Sequence, residues 1–414
     1  MSMSLRFPAP LLLLAALVVA VSALAAACGD DEEEQFRIGV LVDFSGPIAE
    51  FAEPTMSAFE LAVLHINEAG GVNGQEVVLV TGDTRVDPTQ GVEEARRLID
   101  VEGVHAIVGP LSSTVTLAVV SSVAREARIP VISPSATSPA LSTANDDGYL
   151  FRTTISDAAQ GAVLAQLAAD EGLTSVGVLF RDDAYGQGLS DAFAEAFDGD
   201  VAAVAYAAKG QPSYLAELQQ AAAGGAEVLV AIAFPEEAQV FLREAIEQGI
   251  FTRFLFVDGT RSEELIGAIG AEHLNGSRGT APGSGPATPA SDEWDASYLA
   301  EYGELPSTAF LRESYDAVIA VALAAQAAGS TNGIEIRDHL TRIATPGGAT
   351  FLPGPDGVRA ALEAAGRGDD INYEGAATNL DWDDVGDVTS GYIEIWEYRD
   401  GAIVTLRDVP FSVE

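Results

Sequence analysis

Two hydroxyl-rich runs and one isolated acid are the parts of this sequence best suited to hold a ligand. Gly109-Pro110-Leu111 joins the apolar run 104–108 to Ser112-Ser113-Thr114, and Ser133-Pro134 joins the run 129–132 to Ser135-Ala136-Thr137. Each run offers small side-chain donors and free backbone N–H groups, and Ser112-Ser113-Thr114 also opens a helical stretch. Donors at a helix start favour an anion such as a carboxylate, because the orphan N–H groups and the dipole act together. Neither run contains Lys or Arg, so an anion there would be held by neutral donors. Helix capping and turn formation are the competing reading of these residues. Two such runs, each directly following an apolar strand, favour the ligand reading. In the second half, Asp258 follows the apolar run 253–257 and offers a negative charge to an ammonium, although it could instead cap the short helix after it. Tyr185 and Phe234, at two further strand ends, offer apolar walls. Donors on one side and a carboxylate on the other would clamp a zwitterion, which points to a small amino acid or a close analogue.

Other chemistries find less support. His65, His105, His273 and His339 are scattered, so neither a metal cluster nor a histidine-activated nucleophile is expected. Asp182-Asp183 and Asp383-Asp384 read as solvated surface in so acidic a chain. Gly186 and Gly188 lack the lysine and later glycines of a phosphate loop. No enzyme activity, no cofactor and no metal are expected. With 62 acidic against 21 basic residues, the formal charge of −41 also excludes nucleic acid as a partner. Such acidity serves solubility, and adaptation to high salt would fit it as well.

The elements that must position these groups follow from periodicity. Residues 37–42 form an apolar strand that stops at Asp43-Phe44-Ser45-Gly46-Pro47. Met56, Phe59, Val63 and Ile66 recur at helical spacing, and that helix stops at Gly70-Gly71. Strands at 76–81, 104–108 and 129–133 then alternate with helices at 88–101 and 114–127. The alternation restarts after Phe151-Arg152-Thr153, with helices at 158–169, 188–197, 214–222 and 236–248 and strands at 175–180, 201–206, 227–231 and 253–257. Two such sets predict two α/β lobes, each a doubly wound parallel sheet. In such sheets ligands bind beyond the carboxyl ends of the strands, where strand order reverses. The Gly/Pro/Ser-rich stretch 279–289 reads as a crossing between lobes. Helices at 294–302 and 308–328 follow, with apolar faces that need a lobe to cover them. Asp316 and Gln326 interrupt 314–328, which reads as a buried helix rather than a membrane span.

At the start, Arg6, an apolar run through Leu24 and Ala25-Ala26-Ala27 precede Cys28, the only cysteine. This is the pattern of a secretory signal, residues 1–27. A cysteine directly after the small residues resembles the lipobox of bacterial lipoproteins, which implies lipidation at Cys28. Ala25 stands in the usual leucine position, and an ordinary cleaved signal is the alternative. Residues 28–35 then read as an acidic tether. The remaining 387 residues suit two domains, and without a second cysteine both lobes depend on packing alone.

Taken together, the chain resembles the branched-chain amino acid-binding proteins of ABC importers. The resemblance is carried by 37–46, Ile66-Asn67-Glu68-Ala69-Gly70-Gly71-Val72-Asn73-Gly74, 108–114, 132–137 and Tyr185-Gly186-Gln187-Gly188. It continues in Val257-Asp258-Gly259, Tyr315-Asp316-Ala317-Val318 and the tail from Tyr373 to Asp387. It implies the type I periplasmic-binding fold, with lobe 1 formed by 36–152 and 284–389 and lobe 2 by 153–283 and 390–414. Three hinge crossings, near Thr153, near Pro282 and before Tyr392, would join them. It implies that Ser112 or Ser113, Ser135 and Thr137 hold the ligand carboxylate, with Ala136 in the same loop. Tyr185 would line the pocket and Asp258 would meet the ammonium. Phe51 and Phe234 fall where that family often has tyrosines, which implies a drier pocket, and Asp258 stands where some members have glutamate. The implied protein is an extracytoplasmic, lipid-anchored solute-binding protein delivering its ligand to an ABC-type membrane permease. A ligand-sensing receptor of the same fold, for amides, urea or amino acids, is the alternative.

Overall fold

β1 (Phe36–Val42) is buried along nearly its whole length, as a central strand covered on both faces must be. The computed structural model describes residues 34–283 and 285–412, and Cys28 with its leader lies outside them. β1 is flanked by β2 (Val77–Asp83) and β3 (Ala106–Val108), followed by β4 (Val131–Ser133) and β5 (Leu150–Arg152), all parallel in the order β2-β1-β3-β4-β5. Strand order reverses at β1, so the loops after β1 and β3 emerge side by side. Helices α1 (Ala52–Glu68), α2 (Pro88–Asp100) and α3 (Ser113–Val119) connect the strands of this lobe. The sequence predicts one helix over 114–127; the structure inserts a π-helical turn at Val120–Ala124 and resumes at Arg125–Ala127.

The second lobe repeats the scheme. β6 (Ser175–Asp182), β7 (Asp200–Ala207), β8 (Val228–Ile232), β9 (Phe254–Phe256) and β10 (Arg278–Gly283) run parallel in the order β10-β9-β8-β6-β7. Order reverses at β6, which places the loops after β6 and β8 together. Its helices are α4 (Asp157–Asp170), α5 (Ala184–Ala196), α6 (Leu215–Ala221), α7 (Pro235–Glu247) and α8 (Glu263–Ile269). The chain then returns to the first lobe. α9 (Pro289–Tyr302), α10 (Leu311–Ala328), α11 (Gly333–Leu340) and α12 (Pro355–Arg367) gather there, with α10 packed on α1, α11 and α12. β11 (Ala349–Phe351) and β12 (Ile371–Tyr373) pair as a small separate sheet. The last two strands, β13 (Ser390–Arg399) and β14 (Ala402–Ser412), join β10 antiparallel in the second lobe. α10 is buried over most of its length. Among the described residues no single helix is long and apolar enough to cross a membrane.

Arg152 ties the ends of this path together. It is 1% exposed, and its guanidinium grips Asp387 at both carboxylate oxygens (2.6 and 2.7 Å). It also donates to the carbonyls of Ala136 (3.3 Å) and Ser138 (3.0 Å). One residue therefore braces the first crossing, the segment before β13, and the loop after β4.

α5 starts at Ala184, four residues earlier than the sequence predicts. Asp183 caps it by accepting the Gly186 N–H (3.0 Å), so Tyr185, Gly186 and Gly188 lie in the helix rather than in a loop. Glycines argue against helix on propensity alone. Here a Cβ at Gly186 would lie 2.1 Å from the Arg181 carbonyl oxygen, so close packing on β6 decides the residue.

Candidate ligand-binding site

The two reversal points face each other across a narrow cavity. From the first lobe it is lined by Ile48, Phe51, Thr55, Leu111, Ser112, Ser113 and Ser135, with Ala309 and Phe310 closing one side. From the second it is lined by Tyr185, Phe234, Asp258 and Gly259. Seven residues singled out in the sequence thus meet: Phe51, Ser112, Ser113, Ser135, Tyr185, Phe234 and Asp258. Ala136 and Thr137 do not reach the cavity surface. Both are fully buried behind it, Ala136 donating its N–H to Ser133 Oγ (3.0 Å) and Thr137 accepting the Asp157 N–H on its carbonyl (2.8 Å).

The donor side is built by two loops knitted together. Ser133 Oγ donates to the Pro110 carbonyl (2.6 Å) and Ser135 Oγ to that of Leu111 (3.1 Å), while Ser138 N–H donates to Ser113 Oγ (3.2 Å). Ser112 Oγ is buried in the wall with no hydrogen-bond partner among the described residues. A buried hydroxyl left unpaired is costly, so it is the side chain here most available to an incoming acceptor. The loop after β1 has a different task. Buried Asp43 accepts from Thr84 Oγ1 and from Val86 N–H (2.6 Å), holding the neighbouring loop.

On the other side, Asp258 Oδ1 accepts Gln160 Nε2 (2.8 Å) and Tyr185 OH (2.9 Å). Tyr185 OH in turn accepts the Gly259 N–H (3.2 Å). The Asp258 side chain therefore faces these partners, although Asp258 is also the first residue of a 3₁₀ turn, Asp258–Thr260. The sequence reading missed Asp157. It is fully buried at the start of α4, where it reads as an ordinary helix-start acid, and neither of its oxygens has a hydrogen-bond partner among the described residues. Burial pushes its carboxyl well above the usual range, and the neighbouring Asp258 charge adds to this. Burial raises Asp258 as well, opposed by its bonds from Gln160 and Tyr185. Asp258 lines the cavity and Asp157 lies behind it, so with no Lys or Arg in the cavity wall their shared negative charge suits one cationic group.

The walls are apolar. Tyr185 and Phe234 stack in parallel, 5.3 Å apart with 3° between planes. Arg181 lies over the far face of this pair, 5.0 Å from the Phe234 centroid, and is itself paired with Glu237 and Asp183. Phe310 was also missed, because the sequence places it inside a helix over 308–328. α10 instead begins at Leu311, and Phe310 takes a left-handed conformation (φ +68°) that turns it to the cavity edge. That conformation is costly for an aromatic residue, and such strain concentrates at binding sites.

Comparison with known proteins agrees with this architecture. Residues 35–385 match the family model described as periplasmic binding protein. The chain is 29% identical over 374 residues to Leu/Ile/Val-binding protein homolog 3 of Brucella melitensis, covering 89% of this chain and 93% of that protein. It is 27% identical over 392 residues to the chemotactic signal transduction system substrate-binding protein BasB of Halobacterium salinarum, covering 89% and 88%. Among solved structures it is similar to the branched-chain amino acid transporter substrate-binding protein LivJ of Streptococcus pneumoniae in complex with isoleucine. There the TM-score is 0.75 at 25% identity, covering 91% of this chain and all of that one. The chain belongs to the periplasmic binding protein family.

Proposed function

We propose that this periplasmic binding protein captures a small aliphatic amino acid between its lobes and delivers it to an ABC-type permease. The observation that carries the reading is the placement of Asp258 across one narrow cavity from Ser112, Ser113 and Ser135. In this reading the ligand carboxylate takes the hydroxyl and backbone donors of the Ser112 and Ser135 loops. Its ammonium sits on Asp258, with Asp157 behind it sharing the charge. Ile48, Leu111, Phe51, Phe234 and Phe310 enclose the side chain. Phenylalanine rather than tyrosine at 51 and 234 leaves these two walls without hydroxyls, which favours an aliphatic group over a polar one. The names of relatives that bind leucine, isoleucine or valine point the same way. The residues in the cavity bind and orient; no nucleophile–base pair is among them, so the reading is of a carrier and not an enzyme. We further propose that Cys28 is the lipid attachment point and that the protein works outside the cytoplasm on this anchor. Likeness to a chemotactic substrate-binding protein supports a second reading, in which the same site reports its ligand to a receptor.

A thermal-shift screen of the mature protein against amino acids tests the site. A ligand at about a hundred times its Kd stabilises the folded state by about 2.7 kcal/mol. Leucine, isoleucine or valine is expected to raise Tm by a few degrees, and Asp258→Ala to abolish the shift. A shift that survives Asp258→Ala would count against the assigned ammonium contact. For the anchor, Cys28→Ser is expected to release the protein from membranes at unchanged ligand affinity, as read by fractionation and calorimetry.

A further inference from the structure

Away from the cavity, the first lobe grips a single residue of the second at both its N–H and its carbonyl. Ala184, the first residue of α5, donates its N–H to Thr114 Oγ1 (2.9 Å) and accepts Ser138 Oγ–H on its carbonyl (2.7 Å). Thr114 lies on α3, and Ser138 directly follows the Ser135-Ala136-Thr137 loop. Ser138 is itself fixed, its N–H on Ser113 Oγ (3.2 Å) and its carbonyl under Arg152 Nη1 (3.0 Å). One turn further along α5, Gly188 faces the same seam. A Cβ there would lie 2.8 Å from Pro139 Cδ and 2.9 Å from Ser138 Oγ. Gly188 sits within the helix, so no unusual backbone angle calls for glycine, and glycine weakens a helix interior. What its missing side chain provides is close approach of the two lobes.

We propose that Thr114, Ser138 and Gly188 form a latch that sets how fully the lobes close, and that they govern ligand affinity without touching the ligand. The proposal rests on the reading of the cavity as a site closed by lobe movement. None of the three residues lines that cavity. Each is within three residues of one that does: Thr114 follows Ser113, Ser138 lies three residues beyond Ser135, and Gly188 lies three residues beyond Tyr185. Seating Ala184 therefore also seats Tyr185, whose hydroxyl reaches Asp258 (2.9 Å). The three are positioning residues: they act by holding the binding groups in register.

The test uses the full mature chain with Cys28→Ser and dyes on cysteines at exposed Glu126 and Glu195, one in each lobe. Single-molecule energy transfer then reads the closed fraction, and stopped-flow mixing with leucine reads kon and koff. Removing one hydrogen bond is worth about a five-fold change. Thr114→Val and Ser138→Ala are each expected to raise koff about five-fold with little change in kon, because a trapped ligand leaves through reopening. Gly188→Leu is expected to abolish the closed fraction with or without leucine, while its Tm without ligand stays within about 3 °C of the parent. Gly188→Ala is expected to fall between. A closed fraction that Gly188→Leu leaves unchanged, or a parent with no closed fraction in the absence of ligand, overturns the latch. The capture reading fails separately, when the parent closes by itself but no amino acid increases the closed fraction.

Discussion

At the scale of single residues, the site is governed by two buried carboxyls that share one environment. Asp157 and Asp258 are both raised by burial, and each resists ionising while the other is charged. An ammonium needs them as anions, so ligand binding competes with the proton they hold. The sign follows: affinity rises with pH through the range in which the pair gives up its proton, and binding below that range releases a proton. Within that range, affinity for the amino acid is expected to rise by up to about ten-fold per pH unit for one competing proton. Calorimetry within that range, in two buffers of different ionisation enthalpy, is expected to show heats that differ in the sense of proton release. Asp157→Asn is expected to flatten the pH dependence. Heats that do not depend on the buffer would remove the shared proton from the mechanism. Asp258 was legible in the sequence because an acid directly after an apolar strand has few structural excuses. Asp157 was not, because an acid at a helix start looks like a cap, and its orphaned oxygens emerge only from the packing. Thr137, legible as a hydroxyl in the right loop, lies one layer back because its loop packs against the start of α4, where its carbonyl accepts the Asp157 N–H.

At the scale of elements, the glycine-rich segment 66–74, one of those that carry the family resemblance, proves to be architectural. Asn67 closes the turn after α1 with two bonds to Val77 (2.9 and 2.8 Å), and Gly71 takes φ +77° where a Cβ would fall 1.9 Å from the Gln75 carbonyl oxygen. Asn73 then pins this turn to α10 through Gln326 (2.6 Å) and the Ala325 carbonyl (3.1 Å). Strand and helix order was legible from periodicity, whereas the Asn73 ties to α10 were not, since they join residues far apart in the chain. The Arg152–Asp387 pair is the strongest case, spanning two crossings. Removing one partner of a buried pair leaves the other charge uncompensated, and this costs about 3 kcal/mol or more. Asp387→Asn is therefore expected to lower the urea midpoint markedly. It should also weaken ligand binding, because Arg152 holds the carbonyls of Ala136 and Ser138 behind the donor loop. A variant with the parent's midpoint would show that the crossings are held some other way.

At the scale of the whole molecule, acidity acts in two separable ways. The chain carries a formal charge of −41, and repulsion among surface carboxylates opposes the compact state. Several carboxyls are also buried: burial pushes Asp43 up to about 6, Glu50, Glu237 and Glu313 to about 7, and Asp316 to about 8. The total was legible in the composition; which acids lie inside depended on the packing of α10 and the sheet ends. In each of these groups the folded state holds its proton at a pH where the unfolded chain has already lost it. Stability contributed by that proton is full below the unfolded value near 4 and is lost as pH rises toward 6 to 8. Surface repulsion grows over the lower part of the same range, so both effects have one sign. The ligand-free protein is therefore expected to melt several degrees higher at pH 5 than at pH 8, a large enough change in free energy to read by calorimetry. Salt separates the two contributions, because exposed charges are screened within about 3 Å at 1 M while buried ones are screened far less. Raising KCl to 1 M should lift Tm at both pH values yet leave most of the difference between them. A difference that vanishes in salt would assign the effect to the surface alone, and a Tm that climbs from pH 5 to pH 8 would contradict the protonation of the buried set.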